Sequence, residues 1–158
     1  MNIEQTIRQY LPDIIHVSLA TCRDGQPWVC EVHYAYDDEL NLYFRSKMSR
    51  RHSQEIASNN RIAGNIVMQH SQDDKPRGVY FEGTAELLAD VAEQNVAYKV
   101  LSKRFGLDTK ILTDAQSPDG NKFYKITVSK YYLFDARESF PSQKYELDWT
   151  TARIGENC

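Results

Sequence analysis

Short segments with an apolar period of two are the feature of this sequence that most constrains its fold. In residues 14–22, Ile15, Val17 and Leu19 occupy one face of an extended chain, and polar or small residues occupy the other. Such alternation is typical of a β-strand that buries one face. Further segments predicted as strands cover residues 28–36, 40–45, 62–69, 78–88 and 122–134. Turn sequences separate several of them, so the chain is predicted to be mainly β, with antiparallel strands in meander order.

Helices are predicted at the margins of this strand series. Apolar periodicity and capping residues place them at residues 3–11, 50–59 and 91–105. Ser49 stands at the N-cap of the second helix, and the third is capped by Asp90 and stopped by Gly106. Gly83 lies where a barrel strand would need to bend sharply. These elements favour a small closed β-barrel with flanking helices, because closure removes the exposed edges of a flat sheet. An open α+β sheet is the structural alternative.

The length and composition of the chain fit one domain. A chain of 158 residues can bury roughly two-thirds of its unfolded surface, which is enough for a core. Hydrophobic residues make up 41% and charged residues 26% of the sequence, a balance that excludes an intrinsically disordered protein. No repeat or linker divides it, so residues 1–158 are predicted to form a single domain. Cys22, Cys30 and Cys158 have no CxxC spacing, so no disulfide framework is expected.

Charge and the first residues limit the partners of the chain. The formal net charge is −3, so no excess of Lys and Arg exists to neutralise a run of phosphates, and nucleic-acid binding is not expected. The N-terminal sequence lacks the basic start and apolar stretch of a signal peptide, and no run of about 18 apolar residues occurs that would span a bilayer. We therefore expect a cytoplasmic protein without a membrane partner.

One concentrated basic cluster follows the third predicted strand and leads into a helix. It comprises Arg45, Lys47, Arg50, Arg51 and His52. A helix N-terminus presents unpaired backbone N–H groups and a positive dipole end, and guanidinium groups there make a site for a phosphate monoester. Ser46 and Ser49 add hydroxyl donors. The alternative is a solvated basic face, although cations at this end of a helix are mildly unfavourable without an anion.

The sequence lacks the motifs of other common kinds of functional site. The four histidines show no HxH or HExxH spacing, so no metal site is expected. The motifs GxSxG, GxGxxG and GxxxxGK(S/T) are absent, which argues against the common hydrolase, dinucleotide-binding and P-loop functions. Glu31 and His33 share one face of the second strand, and that face is predicted to be exposed to solvent or in contact with a ligand. The ten tyrosines fit two interpretations, the lining of a planar ligand and ordinary strand packing.

Together these features resemble the pyridoxamine 5′-phosphate oxidase-like family of FMN-binding split barrels, over about residues 7–134. The resemblance rests on the order and spacing of Val17-Ser18-Leu19-Ala20-Thr21, Asp24-Gly25-Gln26-Pro27, Leu42-Tyr43-Phe44-Arg45-Ser46, Ser49-Arg50-Arg51-His52, Asn60-Arg61-Ile62 and the stretch from Arg77 to Glu86. Within the family, the chain is most similar to the YhbP-like branch. That similarity rests on the Arg51-His52 pair, the strand from Arg77 to Gly83 and the helix from Tyr98 to Phe105.

The resemblance implies a homodimer that binds two FMN molecules between its subunits. The flavin ring would lie against the second strand, and the phosphate would lie after the third. The residues that match the family's binding positions are Glu31, Val32, His33 and Tyr34 beside the ring, Arg45 and Ser46 along the ribityl chain, and Arg51 and His52 at the phosphate. Many relatives have a lysine where His52 stands. A neutral imidazole binds phosphate less strongly than an ammonium group, so FMN affinity is predicted to weaken as the pH rises through the His52 pKa.

The resemblance leaves two functions open. The first is an FMN-dependent oxidoreductase that moves a hydride or electrons between a reduced nicotinamide and a small molecule, with the flavin as redox centre. The second is a non-catalytic carrier or sensor of flavin, haem or another planar ligand, because a fold does not fix a function. A haem-degrading role ranks third. Oxidases of pyridoxamine phosphate end in a Trp-to-Arg-Leu-x-Pro segment. Residues 149–155 lack the Leu-x-Pro, so vitamin B6 oxidation is not expected, and this tail is considered as a lid over the site.

Overall fold

The computed structural model of the chain describes residues 1–138, 141 and 143–150. The helices are α1 (Ile3–Tyr10), α2 (Arg51–Ser58), α3 (Val91–Phe105) and α4 (Lys110–Gln116). The strands are β1 (His16–Arg23), β2 (Gln26–His33), β3 (Ala35–Tyr36), β4 (Leu42–Lys47), β5 (Arg61–Val67), β6 (Arg77–Leu87), β7 (Asn121–Asp135) and β8 (Lys144–Asp148). None of the helices in this part of the chain is long and apolar enough to cross a membrane.

All strands belong to one curled antiparallel sheet. Their order is β2-β1-β5-β6-β7-β4-β3, and β8 adds to β7. The two ends of this order are neighbours in sequence, because only Tyr34 separates β2 from β3. The same stretch of chain therefore borders β1 on one side and β4 on the other, which bends the sheet into a split barrel. The prediction of a mainly β, antiparallel split barrel with flanking helices is confirmed. The predicted meander order is wrong, because β1 pairs with β5 and β4 pairs with β7.

The core of the barrel follows the alternation seen in the sequence. In β1, Val17, Leu19 and Thr21 are buried, and the residues between them are more exposed. Ile15, predicted to lie on the buried face, is 49% exposed because the strand begins one residue later, at His16. The barrel core also contains Leu42, Phe44, Ile62, Ile66, Val79, Phe81, Ile126, Tyr131 and Leu133. Their burial is the main stabilising contribution to this part of the fold.

Gly83 marks a bulge in the long β6–β7 pairing, as its position in the sequence predicted. The register between the two strands shifts between Glu82 and Gly83. A Cβ atom on Gly83 would lie 2.2 Å from the carbonyl oxygen of Thr127, closer than any side chain can approach. The partner backbone occupies the space of the missing side chain, so only glycine fits here.

The helices cover the open ends and margins of the barrel. Asp90 caps α3 by accepting a hydrogen bond from the Glu93 backbone N–H, and Gly106 ends the helix in the left-handed region, as predicted. Ala97 and Leu101 of α3 are buried in a second apolar cluster outside the barrel core. The spacing in the sequence also predicts an apolar stripe on α3 that includes Ala92, Val96 and Phe105. Ala92 and Val96 are exposed, Val96 by 51%, so this part of the prediction is wrong.

The start of α2 differs from the prediction. The helix begins at Arg51 instead of residue 50, and its N-cap is Arg50 rather than Ser49. No side chain caps this end of the helix. Ser49, whose hydroxyl could accept a hydrogen bond from a backbone N–H of the first turn, therefore lies one position before the N-cap.

Two elements were missed in the sequence. The helix α4 precedes β7, and the strand β8 extends the sheet within the tail that was predicted to be irregular. The tail after β8 does not lie over the cleft beside β2 as far as the structure describes it. Trp149 is 5% exposed, packs edge-on against Tyr131 and donates its indole N–H to the carbonyl oxygen of Glu39. Residues 151–158, including the remainder of the predicted lid, lie outside the described residues.

Candidate functional site

The split in the barrel opens a cleft between β2 and the end of β4. Ala35 and Tyr36 of β3 pair with β4, but β2 turns away to pair with β1 instead. The gap has a volume of about 730 Å³. Its walls are residues 28 and 30–33 of β2, residues 45–47 and 50–52 at the corner between β4 and α2, and three apolar residues in and just after the end of α3, Leu101, Phe105 and Leu107. A volume of this size is typical of small-molecule and cofactor sites.

The cleft brings together seven of the eight residues predicted to bind a cofactor: Glu31, Val32, His33, Arg45, Ser46, Arg51 and His52. Tyr34 is the exception. Its side chain is fully buried, donates to the carbonyl oxygen of Leu11 and lies under the guanidinium of Arg104. Its backbone N–H donates a hydrogen bond to the carbonyl oxygen of Ile15.

The start of α2 supplies backbone donors at the basic corner. The first helical hydrogen bond runs from the N–H of Gln54 to the carbonyl oxygen of Arg50. The backbone N–H groups of Arg51, His52 and Ser53 have no acceptor among the described residues. Three unpaired N–H groups at the positive end of a helix dipole favour an anion in front of them.

Arg51 is held in a fixed position at this corner. Its Nε donates to Oε1 of Glu55 over 2.8 Å, and its guanidinium carbon lies 4.2 Å from the ring centre of Trp28. Glu55 is 3% exposed and also accepts from the hydroxyl of Thr21 at 2.5 Å. These hydrogen bonds, that of Thr21 first and that of Arg51 second, lower the pKa of Glu55. The carboxylate therefore stays ionised and orients Arg51, which lines the cleft.

Arg45 is also paired. Its Nη2 donates to Oδ2 of Asp114 over 2.6 Å, and the same oxygen accepts the backbone N–H of Asn121. The Asn121 hydrogen bond is the main cause of a lowered pKa for Asp114, and the charge of Arg45 adds to it. The Nε of Arg45 is buried without a partner in the described part of the chain. A buried N–H without an acceptor is costly, so this donor is suited to an acceptor on a ligand.

His52 and Ser46 form a buried pair on the floor of the corner. The imidazole Nε2 and the serine Oγ are 2.7 Å apart, and His52 is 8% exposed. Burial lowers the pKa of His52, the charge of Arg50 lowers it further, and the carboxylate of Glu55 acts in the opposite direction. The imidazole is therefore mainly neutral near pH 7. It offers a hydrogen bond to an anion but little net charge.

The other half of the cleft is apolar and planar. The ring of His33 stacks on Phe105 at 5.9 Å with 22° between the planes, next to Leu101 and Leu107. Glu31, on the same face of β2 as His33, accepts a hydrogen bond from the hydroxyl of Ser18 on β1. Burial raises the pKa of Cys30 to about 11, so its thiol is protonated and chemically quiet. The arrangement suits a flat ligand with an anionic group at one end.

Several residues of the site were not found from the sequence. Asp114 lies on α4, a helix that the spacing of Ile111, Leu112 and Ala115 would have indicated. Phe105 was assigned to a helix stripe and not to a ligand site. The contact between Trp28 and Arg51 joins residues from separate elements, so no local sequence pattern predicts it.

Sequence comparison places the chain in a family. The model of the family described as pyridoxamine 5′-phosphate oxidase matches residues 3–135. The chain belongs to this family. No curated protein sequence matches it. The proposed similarity to the YhbP-like branch stays a prediction.

Solved structures of other proteins show the same fold. A conserved hypothetical protein from Mycobacterium tuberculosis matches with a TM-score of 0.70 and 20% identity, over 87% of each chain. HutZ, the haem storage protein from Vibrio cholerae, matches with a TM-score of 0.64 and 16% identity, over 81% of this chain and 91% of that one. A haem-binding protein from Mycobacterium smegmatis matches with a TM-score of 0.67 and 15% identity, over 90% of this chain and 56% of that one.

Proposed function

We propose that this chain binds FMN in the cleft between β2 and the start of α2, and that it is an FMN-dependent oxidoreductase acting on a small molecule. One observation carries the proposal. The cleft joins a corner of unpaired N–H donors and cations to a flat apolar wall. FMN has the matching parts, a phosphate at one end and a planar ring system at the other, joined by a hydroxylated chain.

The donors of the cleft fit the successive parts of FMN. The phosphate would lie at the start of α2, where Arg51, His52 and the free backbone N–H groups would bind it. The ribityl hydroxyls would contact Ser46 and Arg45, whose Nε lacks an acceptor among the described residues. The ring would lie along Glu31, Val32 and His33, against the apolar wall that His33 forms with Phe105.

Bound FMN would supply the redox chemistry, a transfer of electrons or of a hydride between a reduced nicotinamide and the small-molecule substrate. The residues of this chain then bind, orient and shield. Arg51 and α2 fix the position of the phosphate, and Phe105, Leu101 and Leu107 keep water from one face of the ring. We expect this activity in the cytoplasm.

A homodimer is part of the proposal. β2 is the last strand of the sheet order, and its Val29 and Trp28 are 58% and 39% exposed. Large apolar side chains on an exposed edge strand favour burial against another chain. A second copy placed against β2 would close the open side of the cleft, as expected for a family whose members often form dimers.

A fluorescence titration of purified protein with FMN tests the proposal. The wild type is expected to bind FMN with a dissociation constant in the micromolar range or below. Arg51→Ala with Arg45→Ala should lose FMN while retaining the β-rich circular dichroism spectrum. Catalytic turnover with a reduced nicotinamide and a set of acceptors then separates an enzyme from a carrier. Absence of any FMN binding by folded wild-type protein would contradict the proposal.

A non-catalytic carrier or sensor of haem or another planar ligand is the second candidate. The imidazole of His33 lines the cleft and is exposed there, and an imidazole is a common axial ligand of haem iron. Two of the similar structures are named as haem storage or haem-binding proteins. Hemin is added to the wild type and to a His33→Ala variant, and their absorbance spectra are compared. Haem held by His33 gives a Soret shift in the wild type that the variant loses, whereas a site for flavin alone gives no Soret shift in either protein.

A further inference from the structure

Two of the arginines at the cleft have their charge balanced by the protein itself. Arg51 pairs with the buried carboxylate of Glu55 at 2.8 Å, and Arg45 pairs with Asp114 at 2.6 Å. His52 is mainly neutral near pH 7 because it is buried. A phosphate monoester carries about −1.5 to −2 charges at this pH. These three residues hold and orient such a group, but they leave most of its charge uncompensated.

Arg50 and Lys47 are the cleft cations without a carboxylate partner in the described part of the chain. Both are exposed. Lys47 ends β4, and Arg50 lies in the turn that leads from there to α2, where its N–H donates to the carbonyl oxygen of Lys47. Arg50 is the N-cap of α2, adjacent to the three unpaired N–H groups. Arg50 lines the same cleft as His52, two residues further along the chain, and its charge lowers the pKa of that imidazole.

We infer that Arg50, with Lys47 beside it, supplies the positive charge that selects a phosphorylated ligand at this site, while Arg51 and Arg45 orient that ligand as donors of neutral pairs. The inference rests on the proposed binding of FMN and adds residues that the family resemblance did not assign. The cationic residues of the cleft then have two separate roles. Removing Arg50 weakens attraction for the phosphate without affecting the ring wall. Removing Arg51 disturbs the geometry of the corner.

Comparison of FMN with riboflavin isolates the contribution of the phosphate, because the two ligands share the ring and the ribityl chain. Dissociation constants for both are measured by fluorescence quenching, at low and at high salt, for the wild type, Arg50→Gln, Arg50→Lys and Arg61→Gln. Arg61→Gln is the matched control, since Arg61 is an exposed cation at the start of β5 that does not line the cleft. The four proteins are compared for folding by circular dichroism.

The preference for FMN over riboflavin is expected to fall about tenfold in Arg50→Gln at low salt, the size of effect that a charge-assisted contact gives. Riboflavin affinity should stay unchanged, Arg50→Lys should retain most of the preference, and Arg61→Gln should retain all of it. The difference in FMN preference between the wild type and Arg50→Gln should shrink at high salt because the charges are exposed.

An FMN preference in Arg50→Gln within twofold of the wild type would overturn the assignment of Arg50 and leave the proposed function intact. An equal loss of both ligands would also overturn it, since that pattern indicates damage to the whole cleft. Failure of the wild type to bind either flavin would instead reject the proposed function, and the inference with it.

Discussion

At the scale of single residues, the buried carboxylate of Glu55 organises the basic corner. It accepts hydrogen bonds from Thr21 of β1 and from Arg51 of α2, and so ties the helix to the barrel. Glu55→Gln is expected to lower the free energy of unfolding at pH 7 by about 1–3 kcal/mol, because hydrogen bonds to a charged group are lost in a buried place. Urea denaturation measures the change.

The pH dependence of that loss follows from the lowered pKa of Glu55. The carboxylate stabilises the fold at pH values above its unfolded pKa, and this contribution disappears as the pH falls through the lower folded pKa. The wild type and Glu55→Gln should therefore converge in stability as the pH is lowered from about 5 towards 3. Glu4→Gln is a matched control, because Glu4 forms the same i,i+4 pair with Arg8 but its side chain is 35% exposed, against 4% for Glu55, so this pair should contribute less than about 1 kcal/mol. Equal losses in both variants at pH 7 would contradict the role of Glu55.

His52 gives a second prediction at the residue scale. Because burial and Arg50 lower its pKa, protonation takes place below the ordinary value of about 6.5. The fold favours the neutral imidazole, so His52 costs stability as the pH falls through this range. A bound phosphate favours the protonated form, so FMN affinity should rise there. The sequence-based prediction of weaker binding at higher pH keeps its sign, but its range moves to more acid pH.

A His52→Asn variant separates this effect from the titration of the phosphate itself. FMN dissociation constants of the two proteins should differ progressively below about pH 6.5 and run parallel above it. A ratio of dissociation constants that changes between pH 7 and 8 would show that His52 titrates higher than its environment implies.

At the scale of elements, the β6–β7 bulge is the position where substitution has the clearest expected result. Gly83→Ala should destabilise the protein by roughly 1–3 kcal/mol or more, since its Cβ atom would meet the backbone of Thr127. Gly78→Ala on the same strand is the control, because its nearest neighbour is a methyl group of Val67 at 3.0 Å, which a small shift relieves. Thermal unfolding of both variants tests the difference, and a larger loss for Gly78→Ala would contradict it.

The elements that the sequence predicted are those with strong local signals. The strand alternation, the Asp90 cap and the Gly106 stop all appear in the structure near their predicted positions. β8 was missed because its two inward residues, Tyr145 and Leu147, are too few to establish a period. α4 was missed because it has seven residues and no side-chain cap.

The candidate site was predictable only in part, for a physical reason. The basic cluster is local in sequence, and the structure places all five of its residues at one cleft. The pairing of Arg51 with Glu55 and of Arg45 with Asp114 decides how much of that charge is available, and it depends on burial and on contacts between distant elements. Composition and spacing report the number of charges but not their partners.

At the scale of the whole molecule, the proposed dimer is expected to form at the edge strand β2 and to close the cleft there. We expect a dimer by analytical ultracentrifugation at micromolar concentration. Val29→Arg, which adds a charge to the exposed edge, should shift the protein towards monomer and weaken FMN binding together. Val91→Arg is the control, at an exposed position at the start of α3 outside the cleft. A wild type that is monomeric and fully loaded with FMN would exclude a site shared between subunits.

We propose that this molecule carries FMN at the start of α2, and the predictions on ligand binding depend on it. To test this, an absorbance spectrum of the purified protein is recorded after incubation with excess FMN and gel filtration, and whatever denaturation releases is identified by its mass. We predict the two-banded spectrum of an oxidised flavin and release of a compound with the mass of FMN. A colourless folded protein, or a Soret band with release of haem, would contradict the claim.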